Sequence, residues 1–233
     1  MGLFTASSTG RIAHTLRVAA HLLSYPDAAL RAHLTDLRDA LHAEGALSAS
    51  RIAELDALIE HLARTDVLDT EAAYVELFDR GRSTSLHLFE HVHGDSRDRG
   101  PAMIDLAQTY EKAGLYLAPG ELPDFLPALL EFASTQPPKE ARALLAEMAH
   151  ILNAVFSALL QRQSGYASVL GALIELAGET AQAVTIAPDE PLDESWAEPL
   201  AFDGCSSQGQ ARPGAVQPIH LVRKSSATEG VQP

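Results

Sequence analysis

The stretch PPKEARALLAEMAHILNAVFSALLQR, residues 137–162, decides the fold class. Its two prolines stand where a helix tolerates them, at the first turn, whose N–H groups have no intrahelical acceptor. From Lys139 to Arg162, the residues Leu144, Leu145, Met148, Leu152, Val155, Phe156, Leu159 and Leu160 recur at helical spacing. This predicts the longest helix of the chain, with an apolar stripe to bury. Residues 165–178 follow at once and are apolar on nearly all sides, which predicts a central buried helix. Those 14 residues are too few to span a bilayer.

Outward from this pair, the same period continues. Residues 11–25 place Ile12, Leu16, Ala19 or Ala20, and Leu23 on one stripe, stopped by Pro26. Residues 27–44 carry Leu30, Leu34, Leu37 and Leu41 and end at Gly45. Ser48 or Ser50 is placed to cap a third helix bearing Ile52, Leu55, Leu58, Ile59 and Leu62. Residues 70–81 predict a fourth with Ala73, Leu77 and Phe78, and residues 83–92 a short fifth with Leu86, Leu88 and Phe89. Residues 101–113 carry Met103, Ile104, Leu106, Ala107 and Tyr110, closed by Gly114, and residues 122–134 form a short helix after Pro119. The β-prone runs 184–187 and 219–222 lack partners. The expected fold is all-α: a single globular domain of about eight or nine helices, packed ridges into grooves. It spans residues 11–187, after a flexible N-terminus (1–10) and before an acidic, Pro-rich flexible tail (188–233). The tail holds six of the 13 prolines and little apolar periodicity.

Composition narrows the function. Of 233 residues, 46% are hydrophobic, enough for a real core, and the formal net charge is −14. That balance excludes sequence-independent nucleic-acid binding, which needs a basic face to release counterions. It also disfavours an anionic membrane surface. The single cysteine, Cys205, forms no internal disulfide and builds no Cys-based metal site. No apolar run reaches the ~18 residues of a membrane span, and Met1 to Arg11 lack a charged stretch followed by an apolar one, so a secretory signal is not expected there. The expectation is a soluble cytoplasmic protein. Phosphate-cradling and nucleophile-elbow motifs are absent from the sequence.

The densest chemistry lies in YVELFDRGRSTSLHLFEHVHGDSRDR, residues 74–99. Between Asp79 and Arg99 stand four acids, four arginines and three histidines, locally balanced in an acidic chain. The pattern predicts an ion-pair network at a helical corner, since Arg pairs with carboxylates through two N–H groups at once. A solvated face of weak pairs is the plainer alternative. His87 and His91, spaced i and i+4, share one face of the expected helix, and with Asp95 they make a candidate His–carboxylate metal site. The order of a zinc protease is missing, because Glu90 directly precedes His91. Farther on, Pro119, Pro123 and Pro127 stiffen a loop that Tyr110, Tyr116 and Phe125 flank with aromatic surface. Ordinary core packing competes here with the wall of an apolar, acid-rimmed groove for a basic partner helix. The segment around Trp196 reads as a linker or a short docking segment.

The block YVELFDRGRSTSLHLFEHVHGDSRDRGPAMIDLAQTYEKAGL, followed by ELPDFLPALLEF, closely resembles the NarJ-type assembly chaperones of respiratory nitrate reductase, in the all-helical TorD-like class of redox-enzyme maturation chaperones. The resemblance runs from about Arg11 to Gly178. It implies a system-specific chaperone, not an enzyme, with no catalytic residue. It implies that the N-terminal segment of the catalytic α subunit is bound in the cytoplasm, and that the αβ complex is kept competent for insertion of the molybdenum bis-guanine-dinucleotide cofactor before membrane docking. The chaperone itself binds no cofactor stably and is no subunit of the finished enzyme; molybdenum cofactor biosynthesis proteins are further candidate partners. On this basis the peptide site is expected among Tyr74, Phe78, Asp79, Arg80, Arg82, His87, Leu88, Glu90, His91, His93, Asp95, Arg97, Asp98, Arg99, Tyr110, Tyr116, Asp124 and Phe125. Phe78, Leu88, Tyr110 and Phe125 would supply apolar contacts. Asp79, Glu90, Asp95 and Asp98 would face basic residues, positioned by the four arginines, with the histidines making affinity pH-dependent. Two alternatives stand beside it: a chaperone for another molybdoenzyme of the class, and a helical metal-dependent hydrolase using His87, His91 and Asp95.

Overall fold

The computed structural model describes residues 10–94 and 96–184. The expected flexible tail, and all but the last residue of the expected flexible N-terminus, lie outside them, as does Asp95. The described residues form eleven α-helices in sequence: α1 (Ala13–Leu22), α2 (Ala28–Ala32), α3 (Leu34–Glu44), α4 (Ala49–Arg64), α5 (Val67–Phe78), α6 (Leu88–Val92), α7 (Arg99–Lys112), α8 (Leu126–Thr135), α9 (Pro138–Glu147), α10 (Ala149–Gln161) and α11 (Ala167–Leu176). A 3-10 turn, Arg82–Thr84, lies between α5 and α6. Among the described residues there is no named strand, so the all-α expectation holds.

The centre is α11, as its uninterrupted apolar sequence predicts: nine of its ten residues are buried. It packs on α10, α4, α9 and α1, while α1 also packs on α8 and α3. Leu152, Leu159, Leu170 and Leu173 are fully enclosed there, alongside Leu16, Leu22, Leu130 and Leu145. Each such leucine contributes about 1.5–3 kcal/mol relative to an exposed position.

Three expected helices are divided. The longest one breaks at Met148 (φ −95°, ψ 0°), and α9 and α10 meet at 65°. Leu145 and Leu152 are buried on either side of the bend. Residues 27–44 break at His33 (φ −104°, ψ 2°) into α2 and α3. Residues 83–92 divide into the 3-10 turn and the short α6. Among the described residues, no single helix is long and apolar enough to cross a membrane.

Several helix ends are closed by side chains from distant helices. The N-terminus of α1 has no cap from its own Ile12. Instead Glu44, at the end of α3, accepts from the N–H groups of His14 (3.2 Å) and Thr15 (2.7 Å) and from the Thr15 hydroxyl (2.7 Å). At the end of α4, Arg31 donates to the carbonyls of Leu62 (2.5 Å) and Thr65 (2.8 Å). At the end of α11, Arg142 donates to Leu176 O (2.7 Å). These placements satisfy orphan backbone groups and oppose charge to the helix dipole.

Candidate functional site

The 74–99 block begins on α5, whose inner face carries Thr70, Tyr74 and Phe78. Tyr74 donates to Leu23 O (2.7 Å), and its ring meets Phe78 (4.8 Å) and Tyr166 (6.1 Å). Burial pushes the Tyr74, Tyr110 and Tyr166 phenols above their ordinary range. After α5 the chain turns at Gly81, which is buried. A Cβ there would meet the Thr84 hydroxyl and stand 2.7 Å from the Arg162 guanidinium, so any side chain would force these groups to shift. Thr84, fully buried, donates its hydroxyl to Leu77 O and locks the turn onto α5.

From Leu86 the chain runs extended against the ELPD segment. Leu126 N–H donates to Leu86 O (2.9 Å) and Leu88 N–H to Asp124 O (3.0 Å), forming an isolated antiparallel bridge between His87 and Phe125. The Asp124 carboxylate, with no exposed surface, lies at the start of α6. Its Oδ2 accepts from Phe89 N–H (3.1 Å), and its Oδ1 lies 3.2 Å from His87 Nδ1. Arg99 Nη2 stands 3.7 Å from Asp124 and 3.5 Å from Glu90. Asp124 is therefore an internal latch: one carboxylate ties α6, the first turn of α7 and the segment entering α8. The hydrogen bond to Asp124 is the main cause that raises the His87 pKa, against an opposing desolvation. His91 Nε2 faces Ser85 O at 2.8 Å, and since a carbonyl only accepts, Nε2 carries the proton. Tyr110 donates to Pro123 O (2.8 Å) and packs on Phe132 (5.0 Å), holding α7 to the same segment.

The structure sorts the expected site residues into three groups. Tyr74, Phe78, Leu88 and Tyr110 are core residues, exposed by 6% or less, and in this arrangement they support the surface from beneath. His87, Glu90, His91, Arg99, Asp124 and Phe125 belong to the latch, and His93 rests edge-on against Phe89 (5.3 Å). Asp79, Arg80, Arg82, Arg97, Asp98 and Tyr116 are exposed. Arg80 pairs with Glu76 (2.9 Å), and Asp98 accepts from Ser96 (3.3 Å). Thus the predicted ion-pair corner exists, but its centre is a buried carboxylate from a segment 25 residues beyond Arg99.

The His87–His91 metal geometry is corrected by the helix start. Helix α6 begins at Leu88, and His87 is extended (φ −87°, ψ 103°), so the two histidines share no helical face. Each ring points to a different partner, Asp124 and Ser85 O. Among the described residues no group of three His, Cys, Asp or Glu side chains is arranged to hold a metal ion. The latch also uses Ser85, Leu86 and Phe89 through backbone atoms, for which a sequence carries no residue-type signal.

Comparison with known proteins gives a consistent picture. The family model described as nitrate reductase delta subunit matches residues 23–170. The nitrate reductase molybdenum cofactor assembly chaperone NarJ of Escherichia coli strain K12 is 42% identical over 200 residues, covering 84% of each chain. The probable chaperone NarJ of Bacillus subtilis is 31% identical over 163 residues, covering 66% of this chain and 82% of its own. A solved structure from Archaeoglobus fulgidus, described as a redox enzyme maturation protein, superposes with a TM-score of 0.52 at 21% identity, covering 76% of this chain and 99% of the other. That last likeness concerns the fold alone.

Proposed function

The chain belongs to the nitrate reductase delta-subunit family, whose close relatives are assembly chaperones and not catalysts, and from this premise we propose that it is the assembly chaperone of a respiratory nitrate reductase. Its task is molybdenum cofactor assembly in that client. In the finer reading it binds the N-terminal segment of the catalytic α subunit in the cytoplasm. It holds the αβ complex open to the bis-guanine-dinucleotide cofactor, then leaves before the enzyme docks on the membrane. The observation that carries the proposal is the 42% identity to NarJ over 84% of the chain, which includes the latched corner.

The geometry supports a binding role for the corner. The Thr84 bond to α5 and the buried Asp124 latch joining α6, α7 and the ELPD turn hold the backbone near exposed Asp79, Arg80, Arg82, Arg97, Asp98 and Tyr116 on a preorganised support. A chaperone of this kind needs no nucleophile and no resident metal; it needs a surface that recognises an unfinished client and releases the finished one.

The test is maturation of the client. Nitrate reductase αβ is produced in a host deleted for its own chaperones, with and without this chain, and molybdenum per α subunit is measured by mass spectrometry. The expected result is low molybdenum without the chain and near-stoichiometric molybdenum with it. Equal loading in both hosts would remove nitrate reductase as the client. Restored loading of a different molybdoenzyme in the same host would assign the alternative client.

A further inference from the structure

We propose that α7 is a flap that opens as one unit while the helical core stays folded, with Arg99 and Tyr110 as its two catches. The inference concerns a motion built into the chain itself and goes beyond the assembly role.

Among the described helices of ten residues or more, α7 is the least anchored. Of its 14 residues only Tyr110 is buried, against six of ten in α8 and nine of ten in α11. Its inner face runs through Arg99, Met103, Leu106 and Tyr110, at i, i+4, i+7 and i+11. Met103 and Leu106 are nevertheless only half-buried. Ile104, on the outer side, is 59% exposed. The sequence holds the start of α7 weakly as well. Asp98 makes no side-chain cap, and the first turn has no acid to oppose the helix dipole. Gly100 in that turn disfavours the helix further. A Cβ at Gly100, or at Gly114 just past the other end, would meet nothing within 4 Å, so both ends have room to move.

The two catches differ in kind. At the start of α7, Arg99 Nη2 stands 3.5 Å from Glu90 and 3.7 Å from Asp124, and its side chain is 27% exposed. Ion pairs of that length and exposure hold weakly. Near the other end, Tyr110 donates to Pro123 O (2.8 Å), and its ring lies against Phe132 of α8 (5.0 Å). Opening breaks both catches and leaves the Asp124 bonds to Phe89 N–H and His87 in place. It uncovers Phe132, and with it Met103 and Leu106 on the flap. Helices α1, α4, α8, α10 and α11 pack on one another and keep that packing throughout. An element with so few buried contacts lies at the low end of the scale of local opening free energies. The closed flap is the form the structure shows, and the open flap is a minor population in equilibrium with it.

Hydrogen exchange of the full chain, read by NMR over a urea series below the unfolding transition, tests the flap. The α7 amides should exchange about a hundredfold or more faster than those of α11, with one shared urea slope that is shallower than that of α11. Tyr110→Phe should speed α7 exchange about fivefold, and Arg99→Gln about twofold. Leu152→Ala, in the core, should speed α11 exchange about thirtyfold or more and leave α7 unchanged, because the core is intact in both forms of the flap. The milder Ile174→Val should show the same split severalfold. Exchange of α7 rising in step with α11 in the two core variants would mean that α7 opens only by global unfolding, which overturns the flap. Independent exchange of α7 residues, with no common urea slope, would mean fraying and overturn the single unit. Wild-type rates in Tyr110→Phe and Arg99→Gln would overturn the catches.

Discussion

Replacing Asp124 by Ala probes the latch most sharply. The carboxylate has no exposed surface. Its loss leaves Phe89 N–H without its 3.1 Å acceptor, and an orphaned buried donor costs about 1–3 kcal/mol. It also removes the charge-assisted bond to His87, worth about 1.5–3 kcal/mol, taken at the low end because the His87 side chain is about a third exposed. The Arg99 contact at 3.7 Å is longer and adds little. The sum is a destabilisation of about 3–4 kcal/mol. With a urea m-value of about 2–3 kcal/mol/M, the midpoint should fall by about 1–2 M, followed by circular dichroism at 222 nm. Asp124→Asn keeps an acceptor for Phe89 N–H and should lose less than half as much. A midpoint shift for Asp124→Ala below about 0.2 M at unchanged m-value would refute the latch.

Further predictions address its surroundings. The His87 pKa is raised in the folded state, so its contribution is complete below the unfolded value of about 6.5 and is lost as pH rises through the folded pKa. The stability difference between wild type and His87→Ala should therefore be larger at pH 6 than at pH 8.5, measured by urea titration at both; the reverse order would contradict the Asp124 pairing. Gly81→Ala places a Cβ against Thr84 and the Arg162 guanidinium and should cost about 1–3 kcal/mol by thermal melting. Leu152→Ala, in a fully buried position, should cost about 2–5 kcal/mol by the same assay.

Much of this fold is legible in local sequence, and the exceptions share one cause. Pro137 and Pro138 do open a helix. Ser48 does cap α4, accepting from Arg51 N–H, and Gly45 ends α3 in the left-handed conformation its φ of 61° requires. The central burial of α11 follows from its apolar sequence. The breaks at His33 and Met148 carry no proline or glycine, because tertiary packing makes them. Leu145 and Leu152 are both fully buried on either side of the 65° bend. The α1 cap is equally invisible, since Glu44 lies 29 residues away from Thr15 in sequence. The same holds for Asp124. Its motif is conspicuous, yet the group it caps is 35 residues upstream, at Phe89. Periodicity also carries α6 too far toward the N-terminus, which puts His87 and His91 on one face, whereas the helix starts at Leu88.

The most direct test of the chaperone account is calorimetric titration of the full chain with the N-terminal peptide of the nitrate reductase α subunit, against a scrambled peptide of the same composition. The account predicts saturable one-to-one binding that weakens as salt rises, with the scrambled peptide inert. Equal heats from both peptides, or no binding between pH 6 and 8, would contradict it.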